Sequence, residues 1–358
     1  MYRLVSSGLL MCTVLLCAMT VVEAKKCSRF VTAQMRGNAV ENAKRFDWAA
    51  GTQKAAVSAA EPWANLSDEE LWEMVPSNEL PWDIHTNKEA GCPNCGQGIQ
   101  KYGNYPWKID YWNKPWKIMC PNCGESYPKN DFYAFYKTAL DEHGLFRKHL
   151  GDRSLLFNAD HPDPKDPLHK LYVDDGYGMV DEKGNRHSAI AYYVDWGLWP
   201  QIYRGLDALS RAYTLTDDPR YAHKCAVLLD RIADVFPDMY VAKLAELGFQ
   251  RSYAGPPWYG RIELWTGNYR TKAYAYDHVY DGIRDDSELV RFCSQKAAQC
   301  KLADKSSIEK ICHHIEDHVL LEILKACKEG DINGNTGYTH MVVTVAAIAL
   351  DREKTTEE

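Results

Sequence analysis

The sequence predicts a mainly all-α protein of antiparallel helix pairs, with one small cysteine-held ribbon inserted in its first half. Three observations lead there. After Ala189 the apolar residues recur at spacings of three and four, as in Ile202, Leu206, Leu209 and Tyr213, which marks a helix buried along one face. The helical stretches are joined by short turns and no half of the chain is rich in strand patterns, so helices must pack on helices. The word CPNCG occurs twice, beginning at Cys92 and at Cys120.

Residues 1–24 read as an export signal. Arg3 gives a positive start, an apolar run extends from Leu9 to Val22, and Val22-Glu23-Ala24 is a small-x-small cleavage site that would leave Lys25 first. An uncleaved anchor is the rival reading, but the run is short and no later stretch approaches ~20 apolar residues. Cys17 follows Leu16 rather than the small residue of a lipidation site. The expectation is a secreted or periplasmic protein with no membrane attachment after cleavage.

Residues 25–89 form an N-terminal helical segment. Positions 32 to 75 look helical, and Ser67 with Glu70 three residues on is a capping box before an apolar run. Residues 90–136 hold the ribbon. Residues 137–188 are polar and rich in Asp, Gly and Pro, a loop-rich connection with one hairpin around Glu182-Lys183-Gly184. Residues 189–358 are helix pairs. Asp218 caps and Pro219 opens one helix, continued by Cys225, Leu228, Ile232 and Val235. Ala273, Tyr276, Tyr280 and Ile283 mark another face, as do Ile311, Ile315, Val319 and Ile323, and a last helix runs from Met341 to Leu350.

Two of the 12 cysteines, Cys12 and Cys17, leave with the signal. Cys92, Cys95, Cys120 and Cys123 sit in two identical Pro-Asn-Cys-Gly turns, which aim backbone N–H groups at sulfur, and Gly96 and Gly124 permit the tight backbone. Four soft ligands at this spacing predict one structural zinc. Four thiolates close the coordination sphere, so the ion itself would do no chemistry. The rival is a pair of disulfides, which export favours. Cys27, Cys225, Cys293, Cys300, Cys312 and Cys327 are left open between thiols and disulfides.

The net charge of -7 excludes a generally basic nucleic-acid binder, so any grip on an anion must be local. The 11 Trp and 22 Tyr cluster partly in loop-like stretches, where rings stack on sugars or simply fill a core. Three stretches mix the chemistry a site needs. GDINGNTGYTH, Gly330 to His340, interrupts two apolar helices with Asn335, Tyr338 and His340; its bland reading is a helix cap. WYGRIELWTGNYRTKAYAYDH, Trp258 to His278, offers Arg261, Glu263, Trp265, Tyr269 and Arg270 to an anionic sugar, or is a surface loop entering a helix. NRHSAIAYYVDWGLW places His187, Tyr192, Tyr193 and Trp196 before a helix. His313-His314 reads as a solvated helical pair. No phosphate loop and no G-x-S-x-G elbow is present, which excludes the common ATPase and serine-hydrolase designs.

The order of AAEPWANLSDEELWEMVP, the CPNCG pair, YPKNDFYAFY, DDPRYAHKCAVLLDRIADVFPDMY, DKSSIEKICHHIEDHVLLEIL and GNTGYTHMVVTVAAIALD resembles exported proteins of the heparinase II/III-like superfamily, relatives of alginate lyases. The resemblance covers nearly the whole chain after Ala24. It implies an (α/α) toroid followed by a β-sandwich, with residues 189–358 a partial toroid. The sandwich and the downstream catalytic Tyr and His would be absent by Glu358. It implies β-elimination of an acidic, uronic-acid polysaccharide of heparan sulfate or alginate type. Asn335, in the family's N-x-G word, would neutralise the carboxylate, with Tyr338 and His340 as base or donor. Arg261, Glu263, Trp265, Tyr269, Arg270, Tyr192 and Tyr193 would bind substrate. Relatives often carry His or another polar group after that Asn and Gln near the position of His340; this chain has Thr336 and His340. Two other functions compete: a non-catalytic secreted carbohydrate-binding protein, and a glycoside hydrolase using Glu263 with Asp277 or Asp281.

Overall fold

The computed structural model describes residues 25–239, 246–249, 266–330 and 337–352. It is mainly helical, with two short antiparallel strand pairs. The region expected to be helical from 32 to 75 is three helices: α1 (Ala33–Arg45), α2 (Asp47–Ala64) and α3 (Asp68–Met74). Ser67 accepts from the N–H of Glu70 while the Glu70 carboxylate accepts from the N–H of Ser67, the expected capping box.

The ribbon segment pairs β1 (Ile118–Met119) with β2 (Ser126–Tyr127) and leads into α4 (Phe132–Thr138). The hairpin expected near Gly184 is β3 (Met179–Val180) with β4 (Arg186–His187). Its turn closes on Asp181, whose carboxylate accepts from the N–H groups of Lys183 and Asn185 and from buried His187.

Beyond the hairpin, α5 (Ala189–Tyr193) runs through a π-helical turn (Val194–Leu198) into α6 (Trp199–Thr216). The chain reverses at Asp217, in the left-handed region, and α7 (Pro219–Val235) starts under the Asp218 cap. The remaining helices among the described residues are α8 (Thr266–Val279), α9 (Ser287–Gln299), α10 (Ile308–Ile315), α11 (Glu322–Glu329) and α12 (Tyr338–Leu350). A second π-helical turn (Glu316–Leu321) joins α10 to α11. The last helix starts three residues before the expected Met341. Helix α6 is central, packed on α1, α2, α7 and α8. Every residue of the four predicted apolar stripes is buried. Ribbon residues such as Trp107, Trp116 and Ile118 join the same apolar core as the helices.

Charged clasps fix the helices where apolar stripes cannot set register. Asp277 on α8 accepts from Lys25 Nζ at 2.7 Å and from the N–H groups of Arg29 and Phe30. Both side chains of the Lys25–Asp277 pair are fully buried, so the segment from Lys25 is bound into the fold. Asp281 accepts from Ser28 N–H at 3.0 Å and from Arg36 at 2.8 Å. On α7, Asp230 and Asp234 hold Lys305 at 2.7 and 2.8 Å, and Asp234 also holds His314 Nε2 at 2.9 Å. His314 therefore corrects the expectation of a solvated pair. Only His313 is exposed, because the α10 stripe carries His314 inward against Asp234.

His223 on α7 spans two further elements, with Nδ1 2.8 Å from Asp286 and Nε2 3.1 Å from Asp68. Burial opposes its charge, but hydrogen bonds and attraction from Asp286 and Asp68 outweigh it and raise its pKa to about 9. A folded-state pKa above the ordinary value of ~6.5 stabilises the fold fully below that value and is lost as pH rises through about 9. Urea unfolding of the protein and of His223→Gln at both ends of that window checks this. The wild type should lose roughly 2–3 kcal/mol more than the variant between about pH 6 and pH 10; equal losses would contradict the clasp.

Candidate metal centre and aromatic cleft

The four predicted ligands converge. The sulfur atoms of Cys92, Cys95, Cys120 and Cys123 all lie within 4.8 Å of one another. Cys92 and Cys123 are 3.8 Å apart at sulfur, and Cys95 and Cys120 are 3.6 Å apart. A disulfide needs about 2.05 Å. A tetrahedron of sulfur around zinc, with Zn–S near 2.3 Å, has an edge of about 3.8 Å. The spacing is thus that of a metal tetrahedron, and all ten described cysteines are free thiols.

The two turns are built alike. The N–H groups of Asn94 and Cys95 point at the Cys92 sulfur, and those of Asn122 and Cys123 at the Cys120 sulfur. Gly91 has φ +73°, and a Cβ there would lie 2.4 Å from the Gly96 carbonyl oxygen, so the first turn admits only glycine. Burial pushes the Cys92 and Cys120 thiols up. At Cys123 burial is outweighed by the N–H of Glu125 and the Asn94 side chain, which hold its thiol low. The cluster can hold one metal ion, and a soft S4 set of this shape suits zinc, whose binding would displace the remaining thiol protons.

A second candidate site lies elsewhere. A cleft of ≈ 670 Å³ opens between α2, α6 and the start of α8. Trp63, Trp82, Trp196, Trp199 and Tyr203 line it, and Arg204, exposed, stands in its wall. Asp195, Asp207 and Thr271 complete its polar edge. Trp82 and Trp199 pack 5.1 Å apart, and Trp199 stacks on Tyr203 at 5.6 Å. The indole N–H groups of Trp63 and Trp199 are buried and have no acceptor among the described residues. Asp195 and Trp196 lie in the π-helical turn, a local widening of the helix that often marks a functional site.

The sequence-predicted residues fall in different places. Asn335, Arg261, Glu263 and Trp265 lie outside the described residues. Tyr338 and His340 are exposed on the first turn of α12. Arg270 on α8 reaches Met341 on α12, Nη1 to Sδ 3.6 Å, so the start of α12 adjoins the start of α8, whose Thr271 lines the cleft. Tyr269 is buried, with the Nζ of buried Lys272 5.0 Å from its ring. Tyr192 and Tyr193 are buried; Tyr193 packs on Trp116 at 5.3 Å. The Tyr192 ring lies 6.2 Å from that of Trp196, which lines the cleft. Asp277 and Asp281 are committed to the N-terminal segment.

Sequence reasoning missed Trp63, Trp82, Trp199, Tyr203 and Arg204. The signal was present at Trp196, Trp199, Tyr203 and Asp207, one helical stripe beside the core stripe of α6.

No family model matches the chain, and neither the curated proteins nor the solved structures yield a match. No described helix is long and apolar enough to cross a membrane. Metal analysis of the purified protein should find one zinc per chain. Cys120→Ser should lose that zinc and lower the melting temperature by several degrees, as structural zinc sites contribute folding energy directly. A zinc-free protein of unchanged melting temperature would contradict the centre.

Proposed function

We propose that the protein is an exported polysaccharide lyase-like protein. One structural zinc holds its ribbon, and it takes a uronic-acid polysaccharide into the tryptophan-lined cleft. The cleft is the observation that carries this reading. An aromatic lining suits the apolar faces of sugar rings, with Trp196 its partly exposed ring, while exposed Arg204 offers donors to hydroxyls and carboxylates. A neutral sugar would not need Arg204; an acidic one uses it. The helix pairs are, on this reading, the portion of an (α/α) toroid that the sequence resemblance implies.

The chemistry is β-elimination. A base removes the proton alpha to the uronate carboxylate. The electron pair forms the ring double bond, and the glycosidic oxygen leaves with a proton from an acid. Negative charge builds on the carboxylate, so a neutral or cationic donor must meet it; one such donor is worth ~2.7–4 kcal/mol. Asn335 is proposed for that role, with Tyr338 and His340 as base and acid. The support for this trio is the resemblance and the contact between Arg270 and Met341, which sets the start of α12 beside the cleft-lining end of α8.

Incubation with alginate and with heparan sulfate, followed by ultraviolet absorbance, tests the proposal. An unsaturated product absorbs, and Asn335→Ala should slow its appearance by about 10²–10³-fold. New reducing ends without absorbance would make the protein a hydrolase. Binding without any product would make it a carbohydrate-binding protein that has no lyase activity.

A further inference from the structure

The ribbon does more than fold beside the helices. Its loop from Tyr105 to Lys117 leans on the cleft. Tyr105 packs on Trp196 at 4.3 Å, and Trp112 meets Trp63 edge-on at 5.6 Å. Ile109 lies against Gly197 of the π-helical turn, so closely that a Cβ there would sit 2.9 Å from its methyl group. Both Tyr105 and Trp112 remain partly exposed beyond these contacts, so the aromatic surface of the cleft continues onto the ribbon.

Ile109 also lines a second hollow of ≈ 520 Å³, on the ribbon itself. Its walls carry Lys108, Lys114 and Lys117, with Asp110 the one acid. The Asp110 carboxylate is engaged by the N–H and side-chain amide of Asn113, both at 3.1 Å. Lys117 is half-buried and donates to the carbonyl oxygens of Pro128 and Asn130, which fixes its ammonium in place. Lys108 and Lys114 are exposed. Asp131 and Asp160 lie near enough to act on Lys117, so exposed Lys108 and Lys114, set against Asp110, carry most of the local positive charge on a chain of net charge -7.

We propose that this hollow is an anion subsite that extends the cleft, and that a polysaccharide seated along the tryptophans places a carboxylate or sulfate among Lys108, Lys114 and Lys117. This rests on the polysaccharide reading above. The metal-held ribbon then acts as part of the ligand-binding surface and selects acidic over neutral chains. Exposed cations on a rigid loop supply charge recognition that salt screens.

The test is equilibrium binding of three polymers at low and high salt: unsulfated alginate, heparan sulfate and a neutral glucan. The proteins compared are the wild type, Lys108→Ala/Lys114→Ala and Lys108→Arg/Lys114→Arg. Both positions are exposed, so the melting temperature should be unchanged. The Ala pair should weaken binding of an acidic polymer about tenfold or more at low salt and flatten its salt dependence, and the Arg pair should restore it. Loss on both acidic polymers assigns the subsite to carboxylate; loss on heparan sulfate alone assigns it to sulfate. Tight acidic binding untouched by the Ala pair overturns the subsite and leaves the cleft reading standing. A wild type that binds neither acidic polymer overturns both.

Discussion

Four cysteine sulfur atoms, all within 4.8 Å of one another, bring together the two turns of the ribbon that packs against the cleft. The ribbon has one two-residue strand pair, flanking the second CPNCG turn, and shares its apolar core with the helices, so a crosslink between its two turns adds to what holds it. A metal among Cys92, Cys95, Cys120 and Cys123 would supply it. The turns at Asn94 and Asn122 already point their N–H groups at sulfur, which lowers the cost of gathering four thiolates. With the turns pinned, Tyr105, Ile109 and Trp112 are held against Trp196, Gly197 and Trp63. The sulfur cluster thus sits in the same ribbon as one wall of the cleft.

The opposite wall is helical. The α6 stripe of Ile202, Leu206, Leu209 and Tyr213 buries one face, and the neighbouring stripe of Trp199, Tyr203 and Asp207 is left for the cleft. The π-helical turn shifts the register between α5 and α6, so Tyr192 and Tyr193 point into the core while Asp195 and Trp196 reach the cleft. Gly205 lets α2 approach so closely that a Cβ there would sit 2.8 Å from the Trp63 ring. Helix positions, ring positions and ribbon position are consequently one packing problem. The buried clasps at Asp277 and at Asp230–Lys305–Asp234 fix the outer helices against that centre.

Much of the fold was legible because helix periodicity and capping are local. Ser67 with Glu70, Asp218 with Pro219 and the four apolar stripes needed no tertiary information. The sulfur cluster was legible for the same reason, since two identical turns fix their own geometry. The cleft was not. Trp63, Trp82 and Trp199 come from distant parts of the chain, and each alone reads as core filling. Nothing local in the sequence shows what covers Tyr192 and Tyr193: Tyr193 packs on Trp116 of the ribbon and Tyr192 beside Trp196, and both rings are buried. His314 was read from its neighbour His313, while its true partner, Asp234, is 80 residues away in sequence.

The claim at the centre of this account is that the metal-held ribbon builds the binding surface. The direct measurement is titration of an acidic oligosaccharide, by tryptophan fluorescence, before and after the zinc is stripped by a chelator, with far-ultraviolet circular dichroism on the same samples. The account predicts that affinity collapses, that the helical signal is largely retained, and that restoring zinc restores binding. Unchanged affinity in the stripped, still helical protein would contradict it.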